Sequence, residues 1–176
     1  MLTQMDGIDW AGSAIVAARM RLEIAADNLA NVSSDGFRGS LARGFMTPSG
    51  VEIERAPIAQ HGSLRHTGRS SDLAIVGSGA FRIRDARGGI FETRNGAFTR
   101  ASDGRLRDDA GRLLVGTRLA RGSSIRSGFL EAANVDAVGQ MVAMLSAQRS
   151  FESAEKAVSA IDQAREKAAG DVAKVA

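Results

Sequence analysis

Residues Ile8–Val32, IDWAGSAIVAARMRLEIAADNLANV, decide the fold. Apolar residues recur there every three and four positions without a break. Ile8, Ile15, Leu22 and Leu29 occupy heptad a positions, and Ala11, Ala18, Ala25 and Val32 occupy d positions. A 3.5-residue apolar repeat predicts a helix whose seam winds left-handedly against a partner helix. Large residues at a alternate with small ones at d, so a partner backbone can approach closely. Such a helix of about 24 residues is roughly 36 Å long. A second stripe, Ala17, Met20 and Ile24, lies beside the first and predicts more than one neighbour. The same pattern suits a buried helix of a monomer, but its strictness and its place near the chain end favour assembly.

Ser33, Ser34, Asp35 and Gly36 break the helix, and Gly36 can take the left-handed conformation found after helix ends. Asn28 and Asn31 stand just before that break. Asparagine is a poor interior helix residue because its amide competes for backbone partners. Both are expected in capping or interface hydrogen bonds rather than in catalysis.

The far end of the chain repeats the pattern. Asn134 is placed as an N-cap, with Asp136 in the first turn. Helical periodicity then runs to about residue 168. Met144, Phe151 and Val158 fall at a; Ala147, Ala154 and Ile161 fall at d. Large and small positions match those of the first seam, so the two helices are expected to pair. Gln148 and Arg149 flank the seam, where a polar contact can set register. The stretch from Glu166 onward is small and polar and is expected to fray.

Between the helices the signals change. Residues 37–69 are interrupted by five glycines and two prolines and predict irregular chain with short strands near Val51–Ile53 and Ser63–Arg65. From residue 72 to 116, brief apolar runs alternate with turns every eight to ten residues. Leu73–Val76, Phe81–Ile83, Ile90–Thr93, Phe98–Arg100 and Leu113–Val115 are strand candidates. Asn95-Gly96 is the strongest tight-turn signal between them. The pattern predicts a small β-sandwich or barrel-like unit.

The predicted fold class is therefore α+β, with paired, coiled-coil-like terminal helices and a small antiparallel β-rich centre. The expected divisions are an assembly helix and turn over 1–36, an extended linker over 37–69, a β-rich domain over 70–127 and a second assembly helix over 128–176.

Composition narrows the function. The chain of 176 residues has no cysteine, which excludes a disulfide framework and thiolate zinc sites. No apolar run reaches about 18 residues, so no membrane insertion is expected. The opening MLTQMDGIDWAG has no basic region followed by an apolar one, so no cleavable leader is expected. Sixteen arginines and eight acidic residues lie between Phe37 and Ser127, a local excess of +8 in a chain of net charge +3. That excess fits a solvated strand surface. It also admits the alternative of a module binding nucleic acid or another anionic surface, although stacking aromatics are scarce.

No catalytic, cofactor-binding or metal-binding constellation emerges. Gly77-Ser78-Gly79 lacks the Lys-Ser/Thr pair and following helix of a phosphate loop. His61 and His66 have no third ligand at metal-like spacing. Asp108-Asp109 before a glycine suits a solvated turn. Ser, His and Asp occur without a nucleophile elbow. No enzymatic activity and no cofactor are expected.

Three segments together resemble the flagellar rod and hook proteins. The first is AADNLANVSSDGFRGS, with Asn28-Leu29-Ala30-Asn31 followed by Gly36-Phe37. The second runs from GSLRHTGRSSDLAIVGSGAFRIRD through FETRNGAFTRASDGRLRDDAGRLLVG. The third is GFLEAANVDAVGQMVAMLSAQRSFESAEKAV, which contains Asn134-Val135-Asp136. Their order matches, and from the start of the first to the end of the third they span about three quarters of the chain. The resemblance implies an axial structural subunit of the flagellar basal body that polymerises helically through its terminal helices. It implies self-association, contact with other rod and hook proteins, export without a cleaved signal through the flagellar type III apparatus, and encounters with surrounding ring proteins. Nucleic acid is not an implied partner.

Two departures stand out. Ser33-Ser34-Asp35-Gly36 replaces the family's frequent Thr-Pro-Gly turn. Only about a dozen residues, Thr117–Gly128, join Gly116 to the Phe129 motif. So short a connection favours a proximal- or distal-rod protein over a hook protein.

Overall fold

The computed structural model describes residues 7–48 and 50–175; the first half of the opening stretch read for a leader lies outside them. Two compact units divide the chain. The first joins the residues up to Leu29 with 40–56 and those from Ala137 onward; the second joins 30–39 with 57–136.

In the first unit, helix α1 spans Gly7–Ala30 and helix α2 spans Ala137–Val175. The second helix continues through the polar tail where fraying was expected. Strands β1 (Ser40–Thr47) and β2 (Gly50–Pro57) form a two-stranded sheet. A connection this short joins antiparallel strands. Two strands alone are barely stable, and these lean on α1. The Val51 amide donates to Ser13 Oγ at 3.2 Å, and Arg55 pairs with Asp27 at 2.7 Å. Ala17 and Ile24, from the second apolar stripe of α1, are each only 2% exposed. The stripe's additional neighbour thus comes from the same chain. β1 was not foreseen, because SLARGFMT has no clean alternation and carries a glycine.

The second unit is antiparallel throughout. Its strands are β3 (Leu64–His66), β4 (Leu73–Val76), β5 (Gly79–Arg84), β6 (Ile90–Thr93), β7 (Thr99–Arg100), β8 (Leu106–Arg107), β9 (Leu113–Leu119), β10 (Ser124–Ser127) and β11 (Phe129–Glu131). Five make one sheet in the order β6-β5-β9-β8-β7. Two further pairs, β10-β4 and β11-β3, stand as separate two-stranded sheets. The five-stranded sheet is open, with β6 and β7 at its edges, rather than a closed barrel.

The core of this unit is Ile75, Phe81, Ile83 and Phe98, with Leu73, Leu106 and Leu114 against it. The two phenylalanine rings meet edge to face, 5.3 Å between centroids. Arg82 and Arg84 alternate outward, as the period of two requires.

Asn95-Gly96 does not make the expected tight turn. The segment does not join paired strands but lies beside β4: the Leu73 amide donates to Gly96 O at 2.9 Å, and Asp72 bridges to Ala97. A Cβ on Gly96 would sit 1.6 Å from Leu73 O, so glycine is required for close approach rather than for turning. Gly36 does adopt a left-handed φ of 69°. It lies beyond the end of α1, with its amide donating to Glu131 O at 2.6 Å.

A buried ion pair ties the sheets of this unit together. Arg94 and Glu131 are 5% and 3% exposed, and Arg94 Nε donates to Glu131 Oε2 at 2.6 Å. The remaining guanidinium donors reach Gly77 O, Gly79 O and Ile75 O at 2.8–3.2 Å. Glu131 Oε1 accepts from the Gly62 amide at 3.2 Å. One arginine thus satisfies three carbonyls around the β4–β5 turn and one carboxylate on β11. Asp72 is also fully buried. Burial alone pushes its carboxyl pKa up, but hydrogen bonds from Arg69 and the Thr67 hydroxyl, with the Arg69 charge, outweigh it and hold the pKa below the ordinary carboxylate value.

Three outcomes follow for chemical denaturation. Phe98→Ala removes half of the aromatic pair and should cost about 3–5 kcal/mol; a loss below about 1 kcal/mol would show that this core is not closely packed. Glu131→Gln strands a buried guanidinium and should cost about 3–5 kcal/mol, whereas replacing both partners by apolar residues should recover part of that loss. For Asp72 the folded pKa is depressed, so its stabilisation is present above the unfolded value of about 3.9 and disappears as pH falls through the folded one. Wild type should therefore exceed Asp72→Asn at neutral pH, with the gap closing in acid. A gap unchanged down to about pH 2 would refute this role.

Candidate assembly surface

The first unit carries most of the residues singled out by the heptads. α1 and α2 run antiparallel. At one end Asn28 Nδ2 donates to Gln140 Oε1 at 2.9 Å. At the other, a Cβ on Gly7 would lie 3.5 Å from Ile161 Cδ1. Twenty-one residues separate the two contacts on each helix, so the helices keep step over roughly 32 Å.

The positions read as seams are fully buried only at their alanines. On α1, Ala11, Ala18 and Ala25 are buried, and Ile8, Ile15, Leu22 and Leu29 are half-buried. Val32, just past the helix, is half-buried as well. On α2, Ala147 and Ala154 are buried, and Met144, Phe151, Val158 and Ile161 are half-buried. The alanines disappear most completely because they stand where the packing is closest.

Asn28 is the polar centre of this unit, at 2% exposure. Its Oδ1 accepts from the Ser40 amide at 2.9 Å, and its Nδ2 donates to Ser40 O at 2.8 Å and to Gln140. One carboxamide thus fastens the end of α1, the start of β1 and the start of α2. Within the second unit, Asn31 O accepts the Ser34 amide at 3.0 Å, and Phe37 O accepts the Asn134 amide at 3.3 Å. Ala30 is exposed and Val135 half-buried.

Asn134 is not the N-cap. α2 begins at Ala137, which leaves Asp136 at its N-terminal edge. Asn134 instead joins backbone to backbone within the second unit. Its Oδ1 accepts from the Gly39 amide at 2.7 Å, and its Nδ2 donates to Gln60 O at 2.7 Å and Ile58 O at 3.4 Å. Both asparagines use the same chemistry: an amide side chain supplies donor and acceptor together, as a short piece of strand would.

Sequence reasoning missed a set of exposed residues. Val138, Met141, Val142 and Leu145 are 51–67% exposed on α2. Their spacing of i, i+3, i+4 and i+7 was available, but the heptad count assigned the helix its buried face only. Beside them an open groove of about 680 Å³ runs along the helix pair, lined by Ala11 and Ala14 of α1 and by residues between Val142 and Ala157 of α2. Its walls are alanine, serine and aliphatic side chains with one arginine, Arg149.

Among the described residues no group of three His, Asp or Glu side chains converges as a metal ion requires. His66 packs edge-on against Phe129 at 4.9 Å, and His61 Nδ1 lies 3.7 Å from Glu131. Among the described residues no helix is long and apolar enough to cross a membrane. Eight of the sixteen middle arginines are engaged in ion pairs, which reduces the basic surface left for an anionic partner.

Residues 8–38 match the family described as flagella basal body rod protein. Residues 126–170 match the family described as flagellar basal body rod FlgEFG protein C-terminal. The flagellar hook protein FlgE of Brucella abortus is 31% identical over 149 residues, covering 78% of this chain and 37% of that protein. The hook protein FlgE of Escherichia coli is 36% identical over 95 residues, covering 50% of this chain and 24% of that protein. The flagellar basal-body rod protein FlgF of Mesorhizobium japonicum is 34% identical over 110 residues, covering 57% of this chain and 45% of that protein. The chain thus spans less than half the length of each of these relatives. Matches at both ends of the chain, on the two helices that pair in one unit, lead to one conclusion: the chain belongs to the flagellar rod and hook protein family, whose members are structural proteins and not enzymes.

Proposed function

We propose that the chain is a structural subunit of the bacterial flagellar basal-body rod. It polymerises through its terminal helices and contributes to the axial shaft and the wall of the export channel. The observation that carries this reading is the antiparallel pairing of the two family-matched segments in one helical unit. The a and d residues wind this pair into a coiled-coil-like seam that gives the subunit a rigid assembly element. The partners are further copies, other rod and hook proteins, the type III export apparatus that delivers the chain, and the surrounding rings. Its location is the basal body. The short connection between Gly116 and Phe129 supports a rod rather than a hook position.

Mass spectrometry of hook–basal bodies purified from the source bacterium tests the reading. The chain should be present at several copies per basal body. Its absence there, with the protein abundant elsewhere in the cell, would overturn it. A strain carrying only Leu22→Asp should yield basal bodies without the chain. A carboxylate at that half-buried seam position costs several kcal/mol unless it is paired, and normal motility in that strain would contradict the packing.

A further inference from the structure

Asn95-Gly96 is the one Asn-Gly pair of the chain; Asn28, Asn31 and Asn134 precede Leu29, Val32 and Val135. The pair is reactive because glycine has no side chain to shield its backbone nitrogen. In an open chain that nitrogen attacks Cγ of the preceding asparagine. An N–Cγ bond forms, the bond from Cγ to the side-chain nitrogen breaks, and ammonia leaves with the Gly96 amide hydrogen. Water then opens the cyclic imide at either carbonyl. One opening leaves aspartate. The other leaves isoaspartate, whose main chain runs through Cβ and Cγ. Large or branched residues after the other asparagines hinder the same attack.

In the folded second unit the attack is blocked. It requires rotation about the Asn95 Cα–C bond to bring the Gly96 nitrogen onto Cγ, and both sides of that bond are held. On one side, a Cβ on Gly36 would stand 2.2 Å from Asn95 N, and the Asn95 amide donates to Thr93 Oγ1 at 3.0 Å. On the other side Gly96 is buried, with Leu73 O only 1.6 Å from where its Cβ would be. The Gly96 carbonyl accepts from the Leu73 and Phe98 amides, each at 2.9 Å. The side chain is held as well, since Asn95 Oδ1 accepts from the Ala97 amide at 2.9 Å.

We infer that Asn95 is a spontaneous modification site that folding of the second unit closes, and whose isoaspartyl product cannot rebuild that unit. The extra main-chain atom falls between two fixed points. Arg94 is committed to the buried pair with Glu131, and Gly96 to Leu73. A longer path between them breaks one or the other. The aspartyl product keeps the ordinary backbone, and its carboxylate still accepts from the Ala97 amide. Time spent unfolded therefore sets the share of chains able to build the second unit. The reaction needs no partner, so it is independent of what the chain assembles with.

The full chain tests this directly. One sample is kept folded and one in denaturant, at matched ionic strength, temperature and mildly alkaline pH. Both are then digested and mapped by mass spectrometry. In the denatured sample position 95 should gain the mass of replacing NH2 by OH. In the folded sample the rate should fall to that set by the unfolded fraction, on the order of a thousandfold lower for an ordinary domain. Chains aged in denaturant are next diluted out of it, and refolded and unfolded fractions are separated. Isoaspartate, told from aspartate by peptide fragmentation, should collect in the fraction that fails to refold. Asn95→Asp, one product made directly, should refold like fresh wild type. Comparable rates in the two samples, or isoaspartate shared evenly between the fractions, would overturn the inference. So would failure of Asn95→Asp to fold.

Discussion

The helical unit depends on one buried carboxamide. Asn28 satisfies both backbone groups of Ser40 and reaches Gln140, so three segments far apart in sequence are fixed at one point. A buried amide must find partners or lose of the order of 1–3 kcal/mol. Here those partners are available only when α1, β1 and α2 come together. Apolar contacts along the helices supply the driving force, and the carboxamide adds hydrogen bonds of fixed geometry at one end. The step kept by the helices, from Gly7 beside Ile161 to Asn28 beside Gln140, follows from that anchor.

The second unit solves a similar problem with charge. Its strands are short, and several pair only one to three residues deep. Short ladders cannot define register alone. Arg94 reaches across the β4–β5 turn to Glu131 and supplies donors to the carbonyls of Gly77 and Ile75. Asn134 performs a neutral version of the same task among Gly39, Ile58 and Gln60. Polar residues thus do the specifying in both units, while apolar residues supply most of the stabilisation.

This division explains what could be foreseen from the sequence. Both helices were legible because a 3.5-residue repeat persists over several turns, and every seam position is buried or half-buried. The strand around Ile75 was legible as a brief apolar run, and the one around Phe81 and Ile83 from alternation. Strand β1 was not, because its order comes from Asn28 and from pairing with β2 instead of from its own pattern. Asn95-Gly96 misled because the same dipeptide that suits a tight turn also suits a close backbone crossing. Arg94 and Glu131 are 37 residues apart, and nothing local to either marks them as partners. The exposed ridge on α2 was written in the spacing of Val138, Met141, Val142 and Leu145. It went unread because two apolar stripes share that helix and the heptad picks out only one.

The central claim is that the two terminal segments close on each other, antiparallel and in step, within a single chain. The absence of cysteine allows a direct test. A double variant with cysteines replacing Gly7 and Ile161 should form an intramolecular crosslink rapidly under mild oxidation or with a short bifunctional reagent, read on the monomer band. A control pairing Gly7 with Gln140 should not. Efficient crosslinking of the control and none of the first pair would mean that the helices run parallel, and the account would be wrong.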